Sequence, residues 1–120
     1  LLADKIKKHK AKVWMVNTGW TGGEFGTGKR IKLQYTRKML SEAIDGKLNN
    51  MEYVKDPIFG FQVPIQVPDV PSKILIPRYT WEDAMEYDKK AKELAQMFVY
   101  NFKQFESQAS KSLLNAAPRL

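Results

Sequence analysis

Val13-Trp14-Met15-Val16-Asn17-Thr18-Gly19-Trp20-Thr21-Gly22-Gly23-Glu24-Phe25-Gly26-Thr27-Gly28-Lys29-Arg30-Ile31 is the stretch on which the reading of this chain turns. An apolar run enters a loop with five glycines, and the loop closes on Lys-Arg. A strand followed by a Gly-rich basic turn is a common way to present backbone amides to a phosphate or nucleotide. Glycine suits such a turn because it reaches positive φ and puts no Cβ in a ligand's way. Gly23 to Lys29 fits the start of the P-loop pattern G-x-x-x-x-G-K-[ST]. The last position fails, because Arg30 stands where a Ser or Thr hydroxyl would hold Mg²⁺. Residues 18–30 therefore read as a Gly-rich loop with another duty. Val13–Val16, with a Trp and two valines and no alternation, predicts a strand buried on both faces.

Downstream, Ile31 and Leu33 alternate with Lys32 and Gln34, which allows a brief extended piece. Met39, Leu40, Ala43 and Ile44 then fall at helical spacing and predict a helix over 36–46. Thr36 is expected to N-cap it, Gly46 to end it and Leu48 to cover its end. Residues 51–77 hold five of the six prolines. There Phe59, Phe61, Val63, Ile65 and Val67 alternate with Gly60, Gln62, Pro64 and Gln66, which predicts a Pro-rich extended segment with one apolar face. Ile74-Leu75-Ile76 before Pro77 reads as a buried anchor. A long helix is expected over 81–105, N-capped by Thr80, with Glu86–Lys90 and Asp88–Lys92 as outer-face pairs. Ala84, Tyr87, Ala91, Leu94, Phe98, Phe102 and Phe105 form its apolar stripe. A short helix over Ala109–Ala117 is expected to follow, stopped by Pro118.

The chain has 120 residues, 43% hydrophobic and 28% charged, as expected of a globular domain with a core. No apolar run reaches the ~20 residues of a membrane helix, and no signal-peptide pattern opens the chain. There is no cysteine, which excludes disulfides and thiolate metal sites and fits a reducing, cytoplasmic setting. The opening has no Met and reads as a helix already under way, as in a fragment of a longer protein. The net charge of +7 raises nucleic-acid binding as an alternative. His9, the only histidine, lies among lysines and reads as a surface residue. No nucleophile set and no metal-ligand spacing is present. Arg30, Ile31 and Thr36 remain. A guanidinium that can stack on a base or bind phosphate oxygens, an apolar surface and a hydroxyl at a helix start make one wall of a nucleotide pocket. The same three residues also allow an ion pair, a core contact and a plain cap.

Val16-Asn17-Thr18-Gly19-Trp20, then Gly28-Lys29-Arg30-Ile31, then Tyr35-Thr36-Arg37 resemble the carboxy-terminal part of ATP-dependent phosphoenolpyruvate carboxykinases. The resemblance runs on through Pro57-Ile58-Phe59, Val63-Pro64, Ile74-Leu75, Leu94-Ala95 and Asn101-Phe102 to Ala116-Ala117-Pro118. It implies a mixed α/β fold, residues 1–120 being the carboxy-terminal portion of the nucleotide-binding domain with a long C-terminal helix. It implies conversion of oxaloacetate and ATP to phosphoenolpyruvate, CO₂ and ADP, in gluconeogenesis. It implies nucleotide contacts, around adenine and ribose, from Arg30, Ile31 and Thr36. Mg²⁺ and Mn²⁺ would be held, like the phosphate loop and the oxaloacetate site, by upstream sequence, so no catalytic or metal-binding residue is expected here. The implied partners are ATP, oxaloacetate and the rest of the parent chain, with no nucleic acid and no membrane. Lys32 and Tyr35 depart from the family's usual residues. A segment that completes a sheet without touching a ligand is the other alternative.

Overall fold

The computed structural model describes residues 1–120. Helix α1 spans Leu2–His9 and stops at Lys10, which turns left-handed at φ 51°. Lys7, Lys8 and His9 occupy its last turn, where positive charge suits the carbonyl end of a helix. His9 is exposed.

Val13–Val16 forms no strand. Trp14 and Val16 are half-buried while Val13 and Met15 stay exposed, the latter at 81%. Burial on both faces fails because no other segment of the chain pairs with this run. Trp14 instead stacks on Tyr53, ring centroids 6.1 Å apart. The Gly-rich stretch is more ordered than a loop. Within it, β1 (Trp20–Thr21) pairs antiparallel with β2 (Lys29–Arg30), Trp20 opposite Arg30 and Thr21 opposite Lys29.

Helix α2 spans Leu33–Ile44, so it starts before the expected 36, and the brief extended piece allowed over 31–34 ends at Lys32, whose backbone is extended. Thr36 is not its N-cap. That position belongs to Lys32, which makes no side-chain cap. Thr36 lies in the first turn, 6% exposed, its N–H bonded to the Lys32 carbonyl at 3.3 Å. The earlier start has a packing reason. Tyr35, Met39 and Ala43 recur every fourth residue and all pack on the core, so Tyr35 must already be helical. Gly46 leaves the helix at φ 74°, as expected, and Leu48 is buried beyond it.

β3 (Tyr53–Lys55) and β4 (Gln62–Pro64) form a second antiparallel pair, with Pro64 opposite Tyr53. Both strands are edges, which tolerates the proline. The apolar face expected over 59–67 breaks up because regular strand lasts only through Pro64. Val67 is 2% exposed, whereas Phe61 and Ile65 are 53% and 37% exposed. Short 3₁₀ turns at Ser72–Ile74 and Pro77–Thr80 bracket Leu75, the buried anchor.

Helix α3 spans Ala84–Phe102, and a 3₁₀ stretch carries Lys103–Gln108. Its N-cap is Asp83, not Thr80. The Asp83 carboxylate accepts from the N–H groups of Met85 and Glu86, while the Thr80 hydroxyl donates to the Pro77 carbonyl at 2.6 Å. Neither expected outer-face pair forms. Asp88 takes a bidentate guanidinium, Arg78, at 2.8 and 2.9 Å, and Lys90 reaches Glu24 at 2.7 Å and Glu93 at 3.1 Å. A forked guanidinium outcompetes a flexible lysine for a carboxylate. On the stripe, Ala91 and the neighbouring Ala95 are buried, but Leu94, Phe98 and Phe105 stay more than a third exposed. The last helix, α4, covers only Lys111–Leu114, capped by Ser110.

The fold is thus mixed α and β, with two small antiparallel sheets and one long helix towards the C-terminus. Its apolar core is a corner made by Leu48, Val67, Val70 and Leu75 under α2. Beside it Glu42, 2% exposed, binds Lys38 at 3.0 Å and Lys47 at 3.5 Å, and Lys38 also reaches Asp69. A buried carboxylate persists only if paired. The Lys38 hydrogen bond holds Glu42 below the usual carboxylate range, and Glu42 raises Lys38 above the usual lysine range.

Candidate functional site

The hairpin begins with a local turn. The Asn17 side chain accepts from the Gly19 N–H at 2.9 Å and donates to the Trp20 carbonyl at 3.0 Å. The Ile31 N–H donates to the Gly19 carbonyl at 2.9 Å, so the residue after β2 is stitched to the residue before β1. At the tip the Thr27 and Gly28 N–H groups both donate to the Glu24 carbonyl. Two glycines are demanded by space. A Cβ on Gly28 would stand 2.8 Å from the Gly23 carbonyl oxygen, across the hairpin. One on Gly22, at φ +84°, would stand 2.9 Å from the Thr80 carbonyl oxygen.

That second approach is where the hairpin meets the rest of the chain. The Thr21 hydroxyl donates to Thr80 Oγ1 at 3.0 Å, and the Thr80 hydroxyl donates in turn to the Pro77 carbonyl. Further out, the Lys90 ammonium of α3 binds the Glu24 carboxylate. Between hairpin and α3 lies an open cleft of about 910 Å³. Arg30 and Ile31 line it from the hairpin, Lys32 and Tyr35 from the start of α2, and Trp81 and Lys89 from the opposite side. Its walls carry both signs of charge. Glu24 and Glu93 are engaged by Lys90, whose pKa they raise, Glu24 most, and Asp83 is engaged by its own helix.

Of the three residues singled out from the sequence, two come together here. Arg30 is exposed and Ile31 half-buried at the same edge of the cleft. The ion pairs of the chain use Lys38, Lys47, Arg78, Lys90 and the amino terminus, and Arg30 enters none of them. Ile31 is no plain core residue. It divides the polar cleft from a second, mainly apolar groove of about 1020 Å³ under Trp14, Val63 and Leu75. Thr36 does not line the cleft and is buried one turn along α2. The sequence offered Thr80 only as a helix cap and Lys90 only as half of an outer-face pair, and it did not single out Glu24. Thr21 and Thr80 stand 59 positions apart, and neither spacing nor composition links them.

No three His, Cys, Asp or Glu side chains gather where they could hold a metal ion. No helix is long and apolar enough to cross a membrane.

Residues 1–73 match a family model described as phosphoenolpyruvate carboxykinase. Over 119 residues the chain is 52% identical to the phosphoenolpyruvate carboxykinase (ATP) of Caldanaerobacter subterraneus subsp. tengcongensis, covering 99% of this chain and 23% of that protein. It is 53% identical over 118 residues to the enzyme of that name from Flavobacterium johnsoniae, covering 98% of this chain and 22% of the other. For that of Brucella suis the identity is 52% over 120 residues, all of this chain and 22% of the relative. The chain thus spans between a fifth and a quarter of the length of these relatives.

Proposed function

The chain belongs to the ATP-dependent phosphoenolpyruvate carboxykinase family, and from that premise we propose that it is the carboxy-terminal portion of the nucleotide-binding domain of such an enzyme, forming the adenine and ribose side of its ATP site. The whole protein then converts oxaloacetate and ATP to phosphoenolpyruvate, CO₂ and ADP. Loss of CO₂ from oxaloacetate leaves an enolate, whose oxygen attacks the γ-phosphorus as the bond to ADP breaks. Such chemistry depends on positioning and on neutralising phosphate charge. The reading carries with it a cytoplasmic setting and a place in gluconeogenesis.

The observation that supports the reading most is the pair Arg30 and Ile31 at one cleft edge, with Arg30 in no ion pair. An unengaged guanidinium beside an apolar side chain is what a base and a ribose require: a flat cation for stacking or hydrogen bonding, and a surface for the ring. Thr36 is the third contact we assign. It is buried in the first turn of α2 and does not line the cleft, so it contributes less than Arg30. The residues present do not fit a divalent metal. Mg²⁺ and Mn²⁺ are assigned to the remainder of the longer protein.

The test is kinetic, on the full-length protein. Arg30→Ala should raise the KM for ATP roughly tenfold with kcat less affected. An unchanged KM for ATP would reduce this segment to a structural role. The isolated 120 residues should show no turnover of oxaloacetate with ATP.

A further inference from the structure

We propose that Glu24, Lys90 and the Thr21–Thr80 hydroxyl pair are positioning residues, which fix the Gly-rich hairpin on the start of α3 and so hold Arg30 and Ile31 in register with the ATP cleft. The proposal rests on the reading of that cleft as the nucleotide site.

The hairpin cannot hold its own orientation. Its ladder is two residue pairs long, and a two-stranded hairpin of any length is marginal in water. Its tip, Glu24 to Thr27, is exposed, and Phe25 is 95% exposed, so no apolar burial anchors it. Three polar or steric contacts do. At the base, the Thr21 hydroxyl donates to Thr80 Oγ1 at 3.0 Å, and Thr80 is itself oriented by donating to Pro77. One residue on, Gly22 lies against the Thr80 carbonyl so closely that a Cβ would stand 2.9 Å from it. At the tip, Lys90 Nζ lies 2.7 Å from Glu24 Oε1. Base and tip are thus pinned to two successive pieces, the turn Pro77–Thr80 and the helix Ala84–Phe102. Two pins at separate points stop a hairpin from swinging, where one leaves it a pivot. Arg30 stands opposite Trp20 in the same ladder, one position from the Thr21–Lys29 pair, so any swing moves the guanidinium directly.

Both partners of the Glu24–Lys90 pair are about half exposed. Exposed ion pairs add little to global stability. The pair should therefore act on where Arg30 stands and leave the folding equilibrium almost unmoved. This separates a positioning role from a merely structural one.

The experiment uses the full-length protein and measures KM for ATP, kcat and Tm for Glu24→Gln, Lys90→Gln, Thr80→Val, the charge-exchanged Glu24→Lys/Lys90→Glu double variant, and Arg30→Ala. The expected result is a rise in KM for ATP of roughly fivefold in each of the first three, with kcat within about twofold, Tm unchanged in the two charge variants, and recovery of most of their loss in the double variant. Unchanged KM in Glu24→Gln and Thr80→Val, with a raised KM in Arg30→Ala, would overturn the two-pin proposal and leave the nucleotide site standing. A rise in Lys90→Gln alone, not recovered by the exchange, would also overturn it, making Lys90 a direct contact. Unchanged KM in Arg30→Ala would overturn the site reading and the pins with it.

Discussion

Leu48, Val67, Val70 and Leu75 are between 2% and 9% exposed, while the hairpin tip, Glu24 to Thr27, is exposed throughout. The corner under α2 holds by removing apolar surface from water, in which direction matters little. The hairpin holds by directed contacts: two hydroxyls, one ion pair and a glycine that admits a carbonyl. Apolar burial supplies most of a fold's free energy, whereas directed contacts supply orientation. The chain places its candidate ligand residues, Arg30 and Ile31, on the part held by direction, and its conformational stability on the other. Stability and nucleotide affinity should therefore be separable by mutation.

The largest expected effect falls in the corner. Leu48→Ala should cost about 2–5 kcal/mol, read from urea unfolding of the full-length protein, with KM for ATP unchanged in the folded fraction. A substantial change in KM would mean that corner and cleft are mechanically one. Next comes Gly22→Ala. The added methyl meets backbone and the residue sits at φ +84°, so a local strain of about 1–3 kcal/mol should appear as a raised KM for ATP. Gly26→Ala is its control. Its φ of +94° is equally strained, but nothing lies within 4 Å of the added Cβ, so it should disturb Arg30 less. Equal effects would refute close approach to Thr80 as the cause.

The acid limb sharpens the comparison on the corner's side. Glu42 is held below its ordinary range by Lys38, so it binds a proton more weakly when folded than when unfolded. Its contribution is therefore present above the ordinary carboxylate pKa and is lost as pH falls through the folded value. Lys38, raised by Glu42, contributes below the ordinary lysine pKa and loses that contribution as pH rises through the higher folded value. Glu42→Gln should flatten the acid limb of a Tm-against-pH curve, and a limb of unchanged slope would assign it elsewhere. Asp88, lowered by Arg78, acts in the same acid direction and remains in that variant. The smallest effect is expected for Lys92→Gln. The expected Asp88–Lys92 pair does not form, so its stability should stay within about 0.5 kcal/mol of the parent.

Much of this is legible in the sequence. The helices expected over 36–46 and 81–105 form, with shifted ends, at 33–44 and 84–102, and they, the glycine that ends the first and the anchor at Leu75 all follow from residues within a few positions of one another. Neither expected cap holds. Thr80 lost to Asp83 once its hydroxyl was drawn to Pro77, and Thr36 lost its place because Tyr35 had to reach the core. Val13–Val16 has the composition of a buried strand, but a strand needs a partner and composition does not supply one. Arg30 and Ile31 were legible as a pair because they are adjacent. That they share a cleft, and that Thr36 stands apart from it, was not.

Periodicity, caps and glycines act through free energies between residues one to four apart, and those are written along the chain. Local order therefore decided the helices, the turns and the Gly-Lys-Arg-Ile signature. The contacts that dock the hairpin, Thr21 with Thr80 and Glu24 with Lys90, join residues far apart in sequence. Arg78 likewise reaches Asp88 in preference to the lysine one turn away on the same helix. Such pairings depend on the path the chain takes between the partners, and only the folded structure sets that path.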